Sequence, residues 1–144
     1  MSRIKARVGA LTGVLVLAAG MAMTGAPPAA AAPSVRFEYE RSAVYNNWHI
    51  YVYIDGVYAG RGSWYADPGE ISTGDTLAAV DRGADGYGIE ATLTNGRVAT
   101  TRGHASPYEV YVSGDLEEDV VYSMQVCAVK GTYSDCSTWT SVHS

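Results

Sequence analysis

The side chains with the most chemistry in this 144-residue sequence are two cysteines, three histidines and eleven tyrosines. Cys127 and Cys136 are spaced for a hairpin pair, and no further cysteines or clustered histidines complete a metal site around them. A disulfide between them consumes both thiols and leaves no thiolate nucleophile. His49, His104 and His143 are scattered, and neither a G-x-S-x-G elbow nor an H-E-x-x-H helix is present. A carboxylate pair for glycoside hydrolysis could be drawn from Glu90 and others, but nothing selects the pair. Asp115, Glu117, Glu118 and Asp119 cluster, and hard cations want several carboxylate oxygens. Their spacing matches no EF-hand, so they read as a solvated loop, as do Asp81 and Asp85. The expectation is a protein that is not an enzyme, with no metal and no cofactor.

Aromatic spacing is the stronger lead. Trp48, Ile50, Val52 and Ile54 alternate with His49, Tyr51 and Tyr53, and Asp55-Gly56 follows. That dipeptide tolerates positive φ at both turn positions and marks a type I′ hairpin. Pairing then runs Ile54 to Val57, Tyr53 to Tyr58 and Tyr51 to Gly60. His49, Tyr51, Tyr53 and Tyr58 share the wet face, and Trp64 and Tyr65 follow on a loop that extends it. Tyrosine offers large contact area at little rotamer cost, so such a face suits recognition. Cross-strand packing that stabilises the sheet is the plainer reading, and stacking on sugar rings is a third. Val35, Phe37 and Tyr39 alternate with Arg36, Glu38 and Glu40. They form an edge strand, or a strand donated to a groove on a partner.

These residues need a scaffold, and the pattern is all-β. No helical period appears after residue 32, and short alternating runs bounded by Gly, Asp, Asn and Pro recur about every ten residues. The expectation is a single immunoglobulin-like β-sandwich of about eight strands with one disulfide-stapled C-terminal hairpin. With Cys127 opposite Cys136, Met124 faces Trp139 and Val126 faces Ser137. Trp139 then fills the core, while the disulfide lies on the outer face.

Arg3, Lys5 and Arg7 precede an apolar run from Val8 to Ala19 and a small-residue stretch to Ala32. This is a secretory signal peptide over residues 1–31, its apolar run shorter than the roughly 20 residues of a membrane span. Residues 32–42 follow as an N-terminal strand or extension, and 43–144 as the sandwich. The mature chain carries seven basic and fifteen acidic residues, a net charge of −8. That balance excludes a nucleic-acid binder and a polybasic membrane anchor. The chain reads as secreted and extracellular, and its partners as other secreted proteins.

Leu116 lies six residues before Tyr122, which opens a core strand. The run resembles the tyrosine corner of immunoglobulin-like and fibronectin type III domains, over about the last 30 residues. The resemblance implies that the Tyr122 phenol hydrogen-bonds backbone just upstream. The leader, the low lysine count, Thr100-Thr101-Arg102-Gly103-His104 and the ending Val126-Cys127-Ala128-Val129 … Cys136-Ser137-Thr138-Trp139 look like small secreted actinobacterial proteins. In plan the chain is similar to the adaptor subunit of Streptomyces umbrella toxin particles. That resemblance implies a non-catalytic adaptor joining a lectin-like subunit to a large secreted antibacterial toxin, through an N-terminal extension that docks in a groove. A secreted inhibitor of an extracellular hydrolase, inserting a loop over residues 130–135, and a carbohydrate-binding module are the other readings.

Overall fold

Each alternating run becomes a strand, and every strand pair is antiparallel. The computed structural model describes residues 31–69 and 72–144, so all of the expected signal peptide except Ala31 lies outside the described residues. The strands are β1 (Val35–Arg41), β2 (Trp48–Ile54), β3 (Val57–Tyr65), β4 (Thr76–Asp81), β5 (Gly88–Leu93), β6 (Val98–Thr100), β7 (Tyr108–Val112), β8 (Val121–Lys130), β9 (Tyr133–Cys136) and β10 (Thr140–His143). About eight were expected and ten form; one of the additions arises because the segment after Lys130 splits into two, β9 and β10. The first sheet has the order β1-β2-β3-β4-β7. The second runs β10-β8-β5-β6, with β9 also paired to β8.

The sheets form a sandwich whose filling alternates out of both. Ile50, Val52, Trp64, Leu77 and Ala79 come from the first sheet, and Ile89, Ala91, Leu93, Met124, Val126 and Val142 from the second. The Trp64 indole N–H donates to the His143 carbonyl at 2.7 Å, which satisfies the one polar atom of a fully buried ring. The sheets approach closely over β3, where Gly60 and Gly62 face the core. A Cβ on Gly62 would collide with the Val126 side chain, and one on Gly60 with the Val80 carbonyl and Ile89.

The first hairpin turns at Asp55 and Gly56, both with positive φ, as the dipeptide predicts. Its pairing then departs from the sequence reading. Tyr53 faces Tyr58, but Val52 faces Gly60, so Ala59 is an extra residue on β3. Beyond this bulge Tyr51 pairs with Arg61, not Gly60. Strand side chains alternate with a period of two, so one inserted residue reverses every later position. Trp64, expected on the exposed aromatic face, therefore points into the core and is fully buried. It belongs to β3 and not to a loop.

A second interruption reverses the other tryptophan. Cys127 and Cys136 pair and form the disulfide, as expected. The pairing breaks after Cys136, and β10 resumes one residue out of step, with Thr140 opposite Met124. Trp139, expected in the core, is half exposed, and Val142 fills the core instead. Ser137 anchors the break: its N–H donates to the Val126 carbonyl and its Oγ accepts the Val126 N–H. The Tyr122 ring packs against the core with Leu116. The corner hydrogen bond from its phenol is not among those formed by the described residues. Asp75 ties that loop instead, its Oδ2 accepting the Leu116 N–H at 2.9 Å.

Val35, Phe37 and Tyr39 occupy an edge strand within this chain, paired to β2 along its whole length. Val35 and Phe37 pack on the core. The Tyr39 hydroxyl accepts the Thr138 N–H at 3.1 Å and hydrogen-bonds the Thr138 Oγ1 at 2.8 Å, which ties the edge of the first sheet to the second.

Two substitutions test this packing. Trp64→Ala should cost about 3–5 kcal/mol in denaturant unfolding, and Trp139→Ala less than about 1 kcal/mol. Equal losses would contradict the opposed orientations. Gly62→Ala should destabilise by about 1–3 kcal/mol, the range for overpacking a core.

Candidate functional site

The outer face of the first sheet collects the residues with the most recognition chemistry. Strand register lays them in rows. One row runs Glu40, His49, Ser63, Ala78, Tyr111 across the five strands. The next runs Glu38, Tyr51, Arg61, Val80, Glu109. Arg36, Tyr53 and Tyr58 start a third. Ala78 and Val80 are small, buried and form the floor. The long side chains of the neighbouring strands stand over it.

His49, Tyr51, Tyr53 and Tyr58 share this face as expected, and they touch. Ring centroids lie 6.2 Å apart for His49 and Tyr51, 6.2 Å for Tyr51 and Tyr58, and 5.7 Å for Tyr53 and Tyr58. Trp64 is absent from the patch for the reason given above. Tyr65 joins it as expected, though from β3 and not from a loop, 5.7 Å from His49 and almost fully buried. Tyr111, on β7, adds a half-exposed tyrosine at the far side.

Sequence reasoning missed Arg61 and Tyr111. The unbroken register hides Arg61, although one signal was present. That register puts Arg61 beside Ile50 in the core, where an unpaired guanidinium is very costly. Tyr111 alternates with Val110 and Val112 in a readable strand, but the neighbour of that strand is not legible in sequence.

Electrostatics sort the face into a neutralised rim and an open centre. Arg36 pairs with Glu38 and lies 4.2 Å over the Tyr53 ring. Arg82 pairs with Glu109. The Tyr51 hydroxyl donates to Glu40 at 2.8 Å, and the Tyr111 hydroxyl to Glu109 at 2.7 Å. Partial burial and then the neighbouring carboxylate push both phenols up to about 12, so each stays protonated and donating at neutral pH. At the centre, Arg61 Nε and the Tyr65 hydroxyl are buried with no hydrogen-bond partner.

A second concavity lies at one end of the sandwich, lined among others by Asp81, Arg102, His104, Ser106 and Lys130. His104 stacks flat on Tyr108 at 3.9 Å. Its cations are occupied: Arg102 donates to the Gly131 carbonyl at 2.7 Å, and Lys130 lies 4.6 Å over the Tyr87 ring. Asp81 is raised by burial, which its hydrogen bond from the Gly83 N–H opposes. The segment over 130–135, expected as an inserting loop, is the end of β8, a tight turn at Gly131 and Thr132, and the start of β9. Among the described residues no group of three or more His, Cys, Asp or Glu is placed to hold a metal ion.

Comparison with family models, curated proteins and solved structures returned no match for this chain.

His49 reports on this face through pH. Burial lowers its pKa first and the charge of Arg61 second, while Glu40 acts the other way. Its Nδ1 shares a 2.8 Å hydrogen bond with the buried Ser63 hydroxyl. Tyr51 and Tyr65 pack against its ring. The unfolded chain therefore binds the proton more readily than the folded one, and stability falls as pH drops below about 6.5. His49→Gln should flatten that part of the unfolding free-energy profile, measured in urea at stepped pH. An unchanged slope would place the histidine outside this coupling.

Proposed function

We propose that the chain is a secreted, non-catalytic protein-recognition module whose binding surface is the outer face of the first sheet. The observation that carries the reading is the contiguous aromatic field of His49, Tyr51, Tyr53, Tyr58 and Tyr65 on a rigid five-stranded support. Rigid tyrosines over a buried floor are the usual anchors of a protein interface. A neutralised charged rim around them suits a partner more than bulk solvent. The disulfide fits an oxidising compartment, and no helix among the described residues is long and apolar enough to cross a membrane. The immunoglobulin-like assignment of the sandwich and its secretion belong to the same proposal.

The adaptor role implied by the resemblance requires a second partner surface. Half-exposed Trp139 favours one, because it lies in the break between β9 and β10, next to the Thr138 that ties to Tyr39, and not among the rings of the tyrosine field. Tryptophan is among the residue types most enriched at the hot spots of protein interfaces. A donated N-terminal strand is not part of this proposal, since β1 is already paired.

Affinity capture from the source culture supernatant tests both surfaces. Tyr53→Ala should weaken capture of one partner by about tenfold or more, a hot-spot effect. Trp139→Ala should leave that partner and lose a different one. Thermal unfolding should confirm that both variants fold. Retention of every captured protein by both variants would remove the reading, and loss of the same single partner by both would replace the adaptor with a one-surface binder.

A further inference from the structure

Six arginines lie among the described residues, and five have an acceptor within the chain. Arg36 pairs with Glu38, Arg41 donates to Asn46 Oδ1, and Arg82 pairs with Glu109. Arg97 donates to the Asp75 and Gly114 carbonyls, and Arg102 to the Gly131 carbonyl. Arg61 alone has no ion pair and no acceptor at ordinary hydrogen-bond distance and angle, although the Tyr65 hydroxyl lies near enough to act on its charge. Its Nε is buried without a partner, whereas its two Nη nitrogens are not among the buried atoms.

Placement makes this arginine a centre rather than a stray. It occupies the third of five strands in its row, between Tyr51 and Val80. Tyr51, Tyr58 and Tyr65 surround it closely enough to perturb its ionisation. Each nearby carboxylate is already committed: Glu38 to Arg36, Glu40 to Tyr51, and Glu109 to Arg82 and Tyr111. Glu109 feels the charge of Arg61 but is bonded to Arg82 and Tyr111, so no carboxylate pairs with Arg61 directly, and the open end of that arginine is the planar pair of donors that matches a carboxylate.

We propose that Arg61 is the specificity-determining residue of the tyrosine face and grips an aspartate or glutamate carboxylate of the partner polypeptide. The proposal rests on the recognition reading above and names the chemistry of its ligand. The carboxylate enters end-on between the tyrosines and meets the two Nη donors. The surrounding rings exclude water from the pair, which strengthens it relative to a fully solvated contact. A partner lacking the acid leaves a half-buried guanidinium without a counter-charge, and that loss is the source of discrimination.

The test uses the whole folded chain and three probes. These are a glutamate tripeptide blocked at both ends, its glutamine counterpart, and polygalacturonate as a sugar carboxylate. Arginine side-chain NMR follows the Arg61 resonances in the wild type, and the backbone amide resonances of Tyr51 and Tyr65 follow binding in the wild type and in every variant. The glutamate peptide should shift them with a saturable curve that weakens as salt is added, and the glutamine peptide should not. Arg61→Lys should bind at least tenfold more weakly, since it lacks the fork, and Arg61→Gln should abolish the response with the fold retained. An equal response to both peptides, or a response to polygalacturonate alone, would overturn the inference. So would no response of wild-type Arg61 to the glutamate peptide, a result that does not depend on any variant folding. Partner capture separates the two readings. If Tyr53→Ala loses the partner while Arg61→Gln keeps it, the face stands and the carboxylate grip falls. If neither variant loses it, both fall.

Discussion

A strand offers its two faces to alternate residues, and the first sheet depends on where that alternation is broken. Ala59 is the break. Before it, β2 and β3 pair as the Asp55-Gly56 turn dictates. After it, Arg61, Ser63 and Tyr65 look outward, while Gly60, Gly62 and Trp64 look inward. Two needs are met together. The core receives two residues without side chains where the sheets approach, and one large ring just beyond them. The outer face receives a guanidinium and a tyrosine in place of glycines. Without the bulge the same residues would bury a charge and leave an indole in water.

The second sheet uses the same device in the opposite sense. The break after Cys136 turns Trp139 outward and Val142 inward. It is held open by Ser137, whose backbone and hydroxyl both bond to Val126, and by Thr138, which bonds the Tyr39 hydroxyl. The disulfide fixes the register on one side of the break but does not transmit it past Ser137. One residue out of step on each sheet therefore decides which tryptophan is structural and which is available to a partner.

These breaks also mark what was legible in the sequence. The all-β class, the type I′ turn, the Cys127–Cys136 pair and the shared face of His49, Tyr51, Tyr53 and Tyr58 follow from local periods and turn chemistry, which act over two to ten residues. Trp64 and Trp139 were misplaced, and Arg61 was overlooked, because a one-residue insertion leaves only a weak local trace. That trace was readable for β3, since an unbroken register buries Arg61. It was not readable for β10, because Trp139 and Val142 are equally acceptable as core residues until the partner strand is known. Tyr111 and Glu109 join the face through pairing of β7 with β4, which no local pattern encodes.

The bond from the Trp64 indole to the His143 carbonyl spans 79 residues, and the Tyr39–Thr138 contact spans 99. Both join an early strand to a late one across the sandwich. A ribosome delivers residues 39 and 64 long before 138 and 143. Until the late segment arrives, the largest ring of the core has no acceptor for its N–H and no β10 to cover it. The sandwich is therefore closed by its final strand, and the interval before closure grows with the time taken to synthesise β5 through β10. Completion of this core therefore waits on contacts between residues far apart in sequence, and its pace is set by the order of those contacts along the chain as well as by their strength.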